Sequence, residues 1–238
     1  MRKMNLFVCL IAFLLLSLTA SAQPLVMAKH DGYCSYYDLY RHCPAVVVWS
    51  LTGADFAGTL KPTSRRFKTD TKLPTPRVKD SDMKGSGYVR GHLCPAGDRD
   101  SNKGLLKETY LTSNMAPQTM VCNSGAWKQL EDTCRVLARS HGKMKIAAGC
   151  IFADPLLGTA KIKNIWVPMA FFRIARCSAH PSEIWCWIVQ NSWSTSHPVR
   201  VGTEVLQQVL HEYPETTRAG STNYGSVISV LKMENLID

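Results

Sequence analysis

The sequence predicts an α+β protein, a mixed or antiparallel central sheet flanked by helices. Three observations predict it. β-Branched runs bounded by turn residues recur along the chain, two later segments carry apolar residues at helical spacing, and no internal repeat or low-complexity tract interrupts them. The stretch AVVVWSLT (45–52), between Pro44 and Gly53, reads as a strand, and KIAAGCIF (145–152) and IWCWIVQN (184–191) read likewise. Residues 61–87 are polar, basic and rich in Pro and Gly, a loop-rich insertion. The best helix spans 123–142, with Trp127, Leu130, Cys134 and Leu137 at helical spacing, Asn123 or Ser124 as cap and Gly142 as terminator. A second covers 202–213, with Val205, Leu206, Val209 and Leu210 on one side.

At the amino terminus, Arg2 and Lys3 precede an apolar run too short for a comfortable membrane span, and Ala20-Ser21-Ala22 follows. That order reads as a signal peptide over 1–22, leaving a single domain over 23–238 that is secreted or periplasmic and has no membrane attachment after cleavage. Removing 22 of the 238 residues leaves enough chain for a substantial core. Eight of the nine cysteines remain, an even number in a chain bound for an oxidising compartment, so several disulfides are expected, with pairing left open. No CxxC pair occurs, which argues against a zinc ribbon or a thioredoxin-like redox site. Without Arg2 and Lys3, 26 of the 28 basic side chains face 18 acidic ones, a net charge of +8. The surplus favours polyanions such as nucleic acid over acidic proteins, and it is not gathered into one tail.

Hydrolysis of a phosphodiester needs a base for water, a hard cation on the phosphate and positive groups for transition-state charge. The stretch YVRGHLCPAGDRD (88–100) supplies His92, whose imidazole titrates near neutrality, and Arg90, two residues away on the same side of an extended segment. A magnesium ion prefers oxygen ligands and keeps waters, so one carboxamide can hold it, and Asn123 at the mouth of the long helix is the candidate. Asn123, Trp127, Glu131 and Arg135 fall four apart in one row. Taken singly, each has an ordinary structural role: a loop histidine, an N-cap, a surface ion pair. Arg65 and Arg66 alone would be solvated loop charges.

The joint pattern decides between these readings. VRGHLCPAGD followed by YLTSNMAPQTMVCNSGAWKQLED resembles the DNA/RNA non-specific endonuclease family, whose signature is D-R-G-H and whose fold carries a ββα-metal (His-Me) finger. The spacing is family-like: 22 residues from His92 to Asn114, nine more to Asn123 and eight more to Glu131. The resemblance implies His92 as general base, Asn123 as direct ligand of one Mg²⁺ (or Mn²⁺ or another divalent ion), and Arg90 as phosphate and transition-state stabiliser. It also implies Asn114 as a site asparagine, Glu131 as the glutamate reaching the metal through water, and Arg135 as a basic residue one turn on that, with Arg90 and Arg65, binds the phosphate backbone. RRFKTD resembles the family's basic stretch, and Arg65 is the choice there for a further phosphate contact, with Arg66 adjacent. IWVPMAFFRIARC resembles a family sheet segment, whereas residues 23–43 and the tail after about 215 match nothing.

One position departs from the pattern: the signature's leading aspartate is Val89. Asp82, Asp98 or Asp100 are the nearby candidates to replace its charge in space. The expected function is a secreted, Mg²⁺-dependent, sugar-non-specific endonuclease cleaving DNA and RNA through backbone contacts, with little sequence preference. The alternatives are a secreted nucleic-acid-binding module with weak or lost catalysis, motivated by Val89, and a disulfide-stapled surface protein.

Overall fold

The computed structural model describes residues 25–152, 160–212 and 224–238; the segment read as a signal peptide, 1–22, lies outside them. In chain order the strands are β1 (Val26–Lys29), β2 (Cys34–Asp38), β3 (Cys43–Leu51), β4 (Val89–His92), β5 (Met115–Gln118), β6 (Met144–Ile151), β7 (Lys161–Ile162), β8 (Ile165–Trp166), β9 (Ala170–Cys177), β10 (Ile184–Gln190) and β11 (Val199–Val201). Seven of them form one sheet in the order β1-β2-β3-β6-β9-β10-β11, and every neighbouring pair is antiparallel. The expected strands appear as β3, β6 and β10. β3, β6 and β9 are buried along almost their whole length, which explains why they read as continuous apolar runs rather than alternating ones.

The segment 61–87 is irregular apart from one short 3₁₀ turn, Asp80–Met83, and a single bridge from Lys68 to Leu111. It is nevertheless anchored: Phe67, Leu73, Val78 and Met83 are buried. The short helix α1 covers Lys103–Glu108, with the Asn102 side chain accepting from the backbone N–H of Gly104 and Leu105. After β5 a continuous helical run follows: α2 (Met120–Cys122), a π-helical turn (Asn123–Trp127) and α3 (Lys128–His141). The expectation that Asn123 or Ser124 caps this helix is corrected. Thr119 caps it one turn earlier, its hydroxyl accepting from the Cys122 N–H at 3.0 Å, so the Asn123 side chain has no capping task. Gly142 ends the run as expected, with φ +78° in the left-handed region that glycine tolerates.

Trp127, Leu130, Cys134 and Ala138 bury the inner face of the run. Trp127 is fully buried; its ring lies 5.3 Å from that of Phe171 on β9, and its indole N–H donates to the His92 carbonyl at 3.0 Å. Removing a side chain of that size from a core costs about 3–5 kcal/mol, so Trp127 pins helix, sheet and site strand to one another. Helices α4 (Thr203–Glu212) and α5 (Tyr224–Met233) add Leu206, Leu210, Val227 and Leu231 to the same core.

The expected disulfides are absent. Cys34, Cys43, Cys94, Cys122, Cys134, Cys150, Cys177 and Cys186 are all free thiols, and all but Cys34 are buried. They sit on different elements and pack as small apolar side chains. Cys43 and Cys150, on neighbouring strands, do approach, with 3.9 Å between sulfurs.

Candidate active site

β4 and β5 pair in antiparallel register, His92 opposite Met115 and Arg90 opposite Pro117, and the helical run follows directly. Two strands and a helix thus form a ββα finger laid against the main sheet. Gly91 faces away from the finger's open side; a Cβ there would stand 2.1 Å from Oε1 of the buried Gln118. That close approach explains why the residue between Arg90 and His92 carries no side chain.

His92 sits between two rings, Phe67 at 4.7 Å and Tyr110 edge-on at 4.6 Å between centroids. The cradle is set by backbone pairing of two loops: the Lys68 N–H donates to the Tyr110 carbonyl at 2.7 Å, and the Thr112 N–H donates to the Lys68 carbonyl at 2.9 Å. Burial lowers the His92 pKa to about 4, so the imidazole is neutral at physiological pH. Its Nε2 is buried without a hydrogen-bond partner. A neutral, unsatisfied ring nitrogen is what a proton acceptor requires.

A cleft of about 520 Å³ brings His92 together with Arg65, Asn123, Glu131 and Lys128, beside Tyr110 and the Pro95-Ala96-Gly97 turn. Asn123 is half-buried, and its carboxamide makes no hydrogen bond among the described residues. It lies at the start of the π-helical turn, a feature frequent at functional sites. Glu131 stands two turns further on; burial raises its carboxyl to about 7, with Arg173 opposing and Asp98 reinforcing the rise. Its nearest cation is Arg135, at 3.8 Å, too far for a direct hydrogen bond.

Three of the residues singled out in the sequence face elsewhere. Asn114 is fully buried: its Oδ1 accepts from the Cys94 N–H at 2.8 Å, and its Nδ2 donates to the Cys94 and Thr109 carbonyls at 2.8 and 2.9 Å. It therefore pins the chain just past His92 rather than entering the cleft. Arg135 is ringed by carboxylates, Asp98 at 2.8 Å, Asp132 at 2.9 Å and Glu131 at 3.8 Å, which does not fit the expectation that it meets phosphate. Asp98 is itself buried and also accepts from the Trp49 indole at 3.1 Å, so Arg135 locks α3 to the turn after His92.

Arg90 shares the face of β4 with His92, but its guanidinium turns to Asp80. Nε lies 2.6 Å from Oδ1, and Nη2 donates to the Asp80 carbonyl at 2.6 Å. Asp80, and none of Asp82, Asp98 or Asp100, supplies the carboxylate that Val89 lacks.

Residues 18–211 match the family model described as DNA/RNA non-specific endonuclease. The chain belongs to this family. Among similar proteins, "Nuclease EXOG, mitochondrial" of Homo sapiens is 26% identical over 198 residues, covering 77% of this chain and 54% of that protein. "Nuclease" of Nostoc sp. is 34% identical over 146 residues, 59% of this chain and 52% of the relative. The chain spans about a third to a half of the length of the relatives it matches. A solved structure described as "Crystal structure of the EndoG/EndoGI complex: Mechanism of EndoG inhibition" superposes with a TM-score of 0.67 at 24% identity, over 77% of this chain and 82% of the other. The α+β fold is therefore shared with that structure.

Within the family frame, sequence reasoning missed four participants. Phe67 and Tyr110 lie inside motifs noted for other residues and carry no sign of their stacking on His92. Asp80 sits ten positions before its partner in an unpatterned loop. Arg173 does have a signal, a lone cation in the apolar run AFFRIA of β9. It is fully buried, its guanidinium lies 4.3 Å from the Trp127 ring centre, and only Nη2 is hydrogen-bonded, to the Leu93 carbonyl at 3.2 Å. It places positive charge behind Glu131 and Asp98.

Proposed function

We propose that this chain is an exported, Mg²⁺-dependent endonuclease that hydrolyses phosphodiester bonds of DNA and RNA without sequence preference. The observation that carries the reading is the His92 imidazole, neutral and with a free Nε2, in one cleft with the unengaged carboxamide of Asn123 and the carboxylate of Glu131. Export rests on the residue pattern at 1–22.

A divalent cation fits the donors present. Asn123 offers a carboxamide oxygen, and Glu131 is a desolvated carboxyl whose closest cation, Arg135, stays at 3.8 Å, beyond direct hydrogen-bond range. Two protein oxygens suit an ion that keeps most of its waters. When bound there, Mg²⁺ (or Mn²⁺) polarises the phosphate and stabilises the charge that develops on the leaving oxygen.

The rest is the work of the chain. His92 takes a proton from the attacking water as the water closes on phosphorus, and the Phe67 and Tyr110 rings hold the imidazole in line and keep it dry. Trp127 and Asn114 fix the backbone at His92 and just past it. Arg65 and Lys128, which line the cleft, bind phosphate oxygens, and Arg90 joins them when phosphate competes for it with Asp80. Asp80 supports the catalytic reading over the binding-only alternative, because Arg90 keeps an acidic partner despite Val89.

The test is supercoiled plasmid and a single-stranded RNA with Mg²⁺ or EDTA, for wild type, His92→Ala and Asn123→Ala. Cutting should need the metal, fall by about 10²–10⁴-fold without the base, and fall comparably without Asn123. Binding without cutting by wild type would favour the nucleic-acid-binding module, and full activity in His92→Ala would overturn the mechanism.

A further inference from the structure

Next to the cleft lies a second concavity, of about 130 Å³, lined by Lys61, Arg66, Lys68, Lys103 and Lys107 around Tyr110. All five cations are exposed. Among the described residues none of them has a carboxylate within 4 Å. The nearby acids are engaged away from the groove: Glu108 accepts from the Gly32 N–H at 2.8 Å, Asp100 from the Gly58 N–H at 3.0 Å, and Asp70 pairs with His30 at 2.7 Å. Five like charges gathered without counter-charges repel one another, and a polyanion laid along the groove relieves that repulsion while releasing the counterions that screen it.

The groove is continuous with the cleft. Tyr110 lines both, and the adjacent Arg65 and Arg66 divide between them, Arg65 facing His92 and Arg66 facing the lysines. The backbone pairing of Lys68 with Tyr110 and Thr112 fixes the two concavities relative to each other. Lys103 and Lys107 stand one turn apart on α1 and so present two charges in a row.

We infer that this groove holds the phosphate backbone of a polynucleotide a few nucleotides to one side of the bond being cut, so that the protein is built for long strands rather than for dinucleotides. The inference rests on the endonuclease reading only in that the same strand threads the cleft. Exposed lysines act as point charges without base contacts, so the groove adds affinity and salt dependence and no sequence preference.

The experiment compares wild type with Lys103→Ala/Lys107→Ala and with a control of equal charge loss, Lys143→Ala/Lys232→Ala, both exposed and remote from the groove. Binding of a fluorescent single-stranded 30-mer is measured by anisotropy in EDTA across salt concentrations, and kcat/KM is measured in Mg²⁺ for the 30-mer and for a dinucleotide. The groove pair should weaken 30-mer binding about tenfold at low salt and reduce the salt slope by about 1.4, as for two single-strand phosphate contacts. It should also lower the 30-mer to dinucleotide ratio of kcat/KM by a similar factor, while the control pair changes neither. Equal losses in both pairs, or none in the groove pair, would overturn the inference. If wild type cuts nothing, the endonuclease reading fails, and the metal-free binding comparison still decides the groove.

Discussion

Replacing Glu131 by glutamine should stabilise the metal-free protein above neutral pH and blunt its response to Mg²⁺. The Glu131 carboxyl is raised from 4.5 to about 7, first by burial and then by Asp98, with Arg173 and Arg135 opposing. Its folded pKa therefore lies above its unfolded one, so between about 4.5 and 7 the folded state binds more protons and stability falls as pH rises. The loss is complete above about 7. A difference of about 2.5 pH units at about 1.36 kcal/mol each gives ~3 kcal/mol, an upper bound because water reaches part of the side chain.

His92 acts in the opposite sense. Its folded pKa is lowered to about 4, so stability rises with pH between about 4 and 6.5. That contribution is common to wild type and variant and cancels in their difference. Urea unfolding in EDTA at pH 5 and pH 8 isolates Glu131: the variant should match wild type near pH 5 and exceed it by about 1–3 kcal/mol at pH 8. Magnesium at 100 times its dissociation constant should then add about 2.7 kcal/mol to wild type and distinctly less to the variant. A variant that is less stable than wild type at pH 8 would show that Arg135 and Arg173 already satisfy this carboxylate, and the argument for a cation beside it would fall.

Three further outcomes are expected. Gly91→Ala forces a Cβ into the space of the Gln118 side chain, so urea unfolding should show a loss of about 1–3 kcal/mol, and plasmid nicking should fall at least tenfold as β4 shifts His92. Asp80→Ala removes the partner of Arg90; the pair is partly exposed, so stability should change by no more than about 1 kcal/mol while nicking falls, and Val89→Asp in the same chain should restore it. Refolding in a glutathione redox buffer should close Cys43 to Cys150 ahead of any other pair, adding up to about 4.7 kcal/mol for a loop of 107 residues; alkylation and peptide mapping would show a different pairing if this is wrong.

Strand and helix signals in the sequence were strongest where burial is continuous. β3, β6 and β10 each fall on a run quoted from the sequence; β3 and β6 do so because a strand covered on both faces leaves an unbroken apolar signature, whereas β10 is only partly buried and reads as a strand through its aromatic and β-branched residues. The long helix was legible from Trp127, Leu130 and Cys134, but its start was not. Asn123 looks like a cap only until Thr119 is seen to take that task, and the sequence carries no marker for a π-helical turn. The disulfide expectation failed for a similar reason: an even count of cysteines says nothing about where their side chains point, and seven of these eight point into the core.

The substitution at Val89 shows most plainly what sequence proximity cannot resolve. Asp82, Asp98 and Asp100 were reasonable substitutes for a missing aspartate because all lie within about a dozen positions. Each is already committed: Asp82 to Lys163 at 2.9 Å, Asp98 to Arg135 and the Trp49 indole, Asp100 to the Gly58 N–H. Asp80 is the acid whose loop sits against Arg90: its Oδ1 accepts from the Phe67 N–H at 3.2 Å, and Phe67, Val78 and Met83 bury the 61–87 loop beside Met115 of the finger. The apolar anchors of a loop that looked featureless thus decide which carboxylate meets the arginine. Mutating those anchors should disturb the Arg90 contact as surely as mutating Asp80 itself.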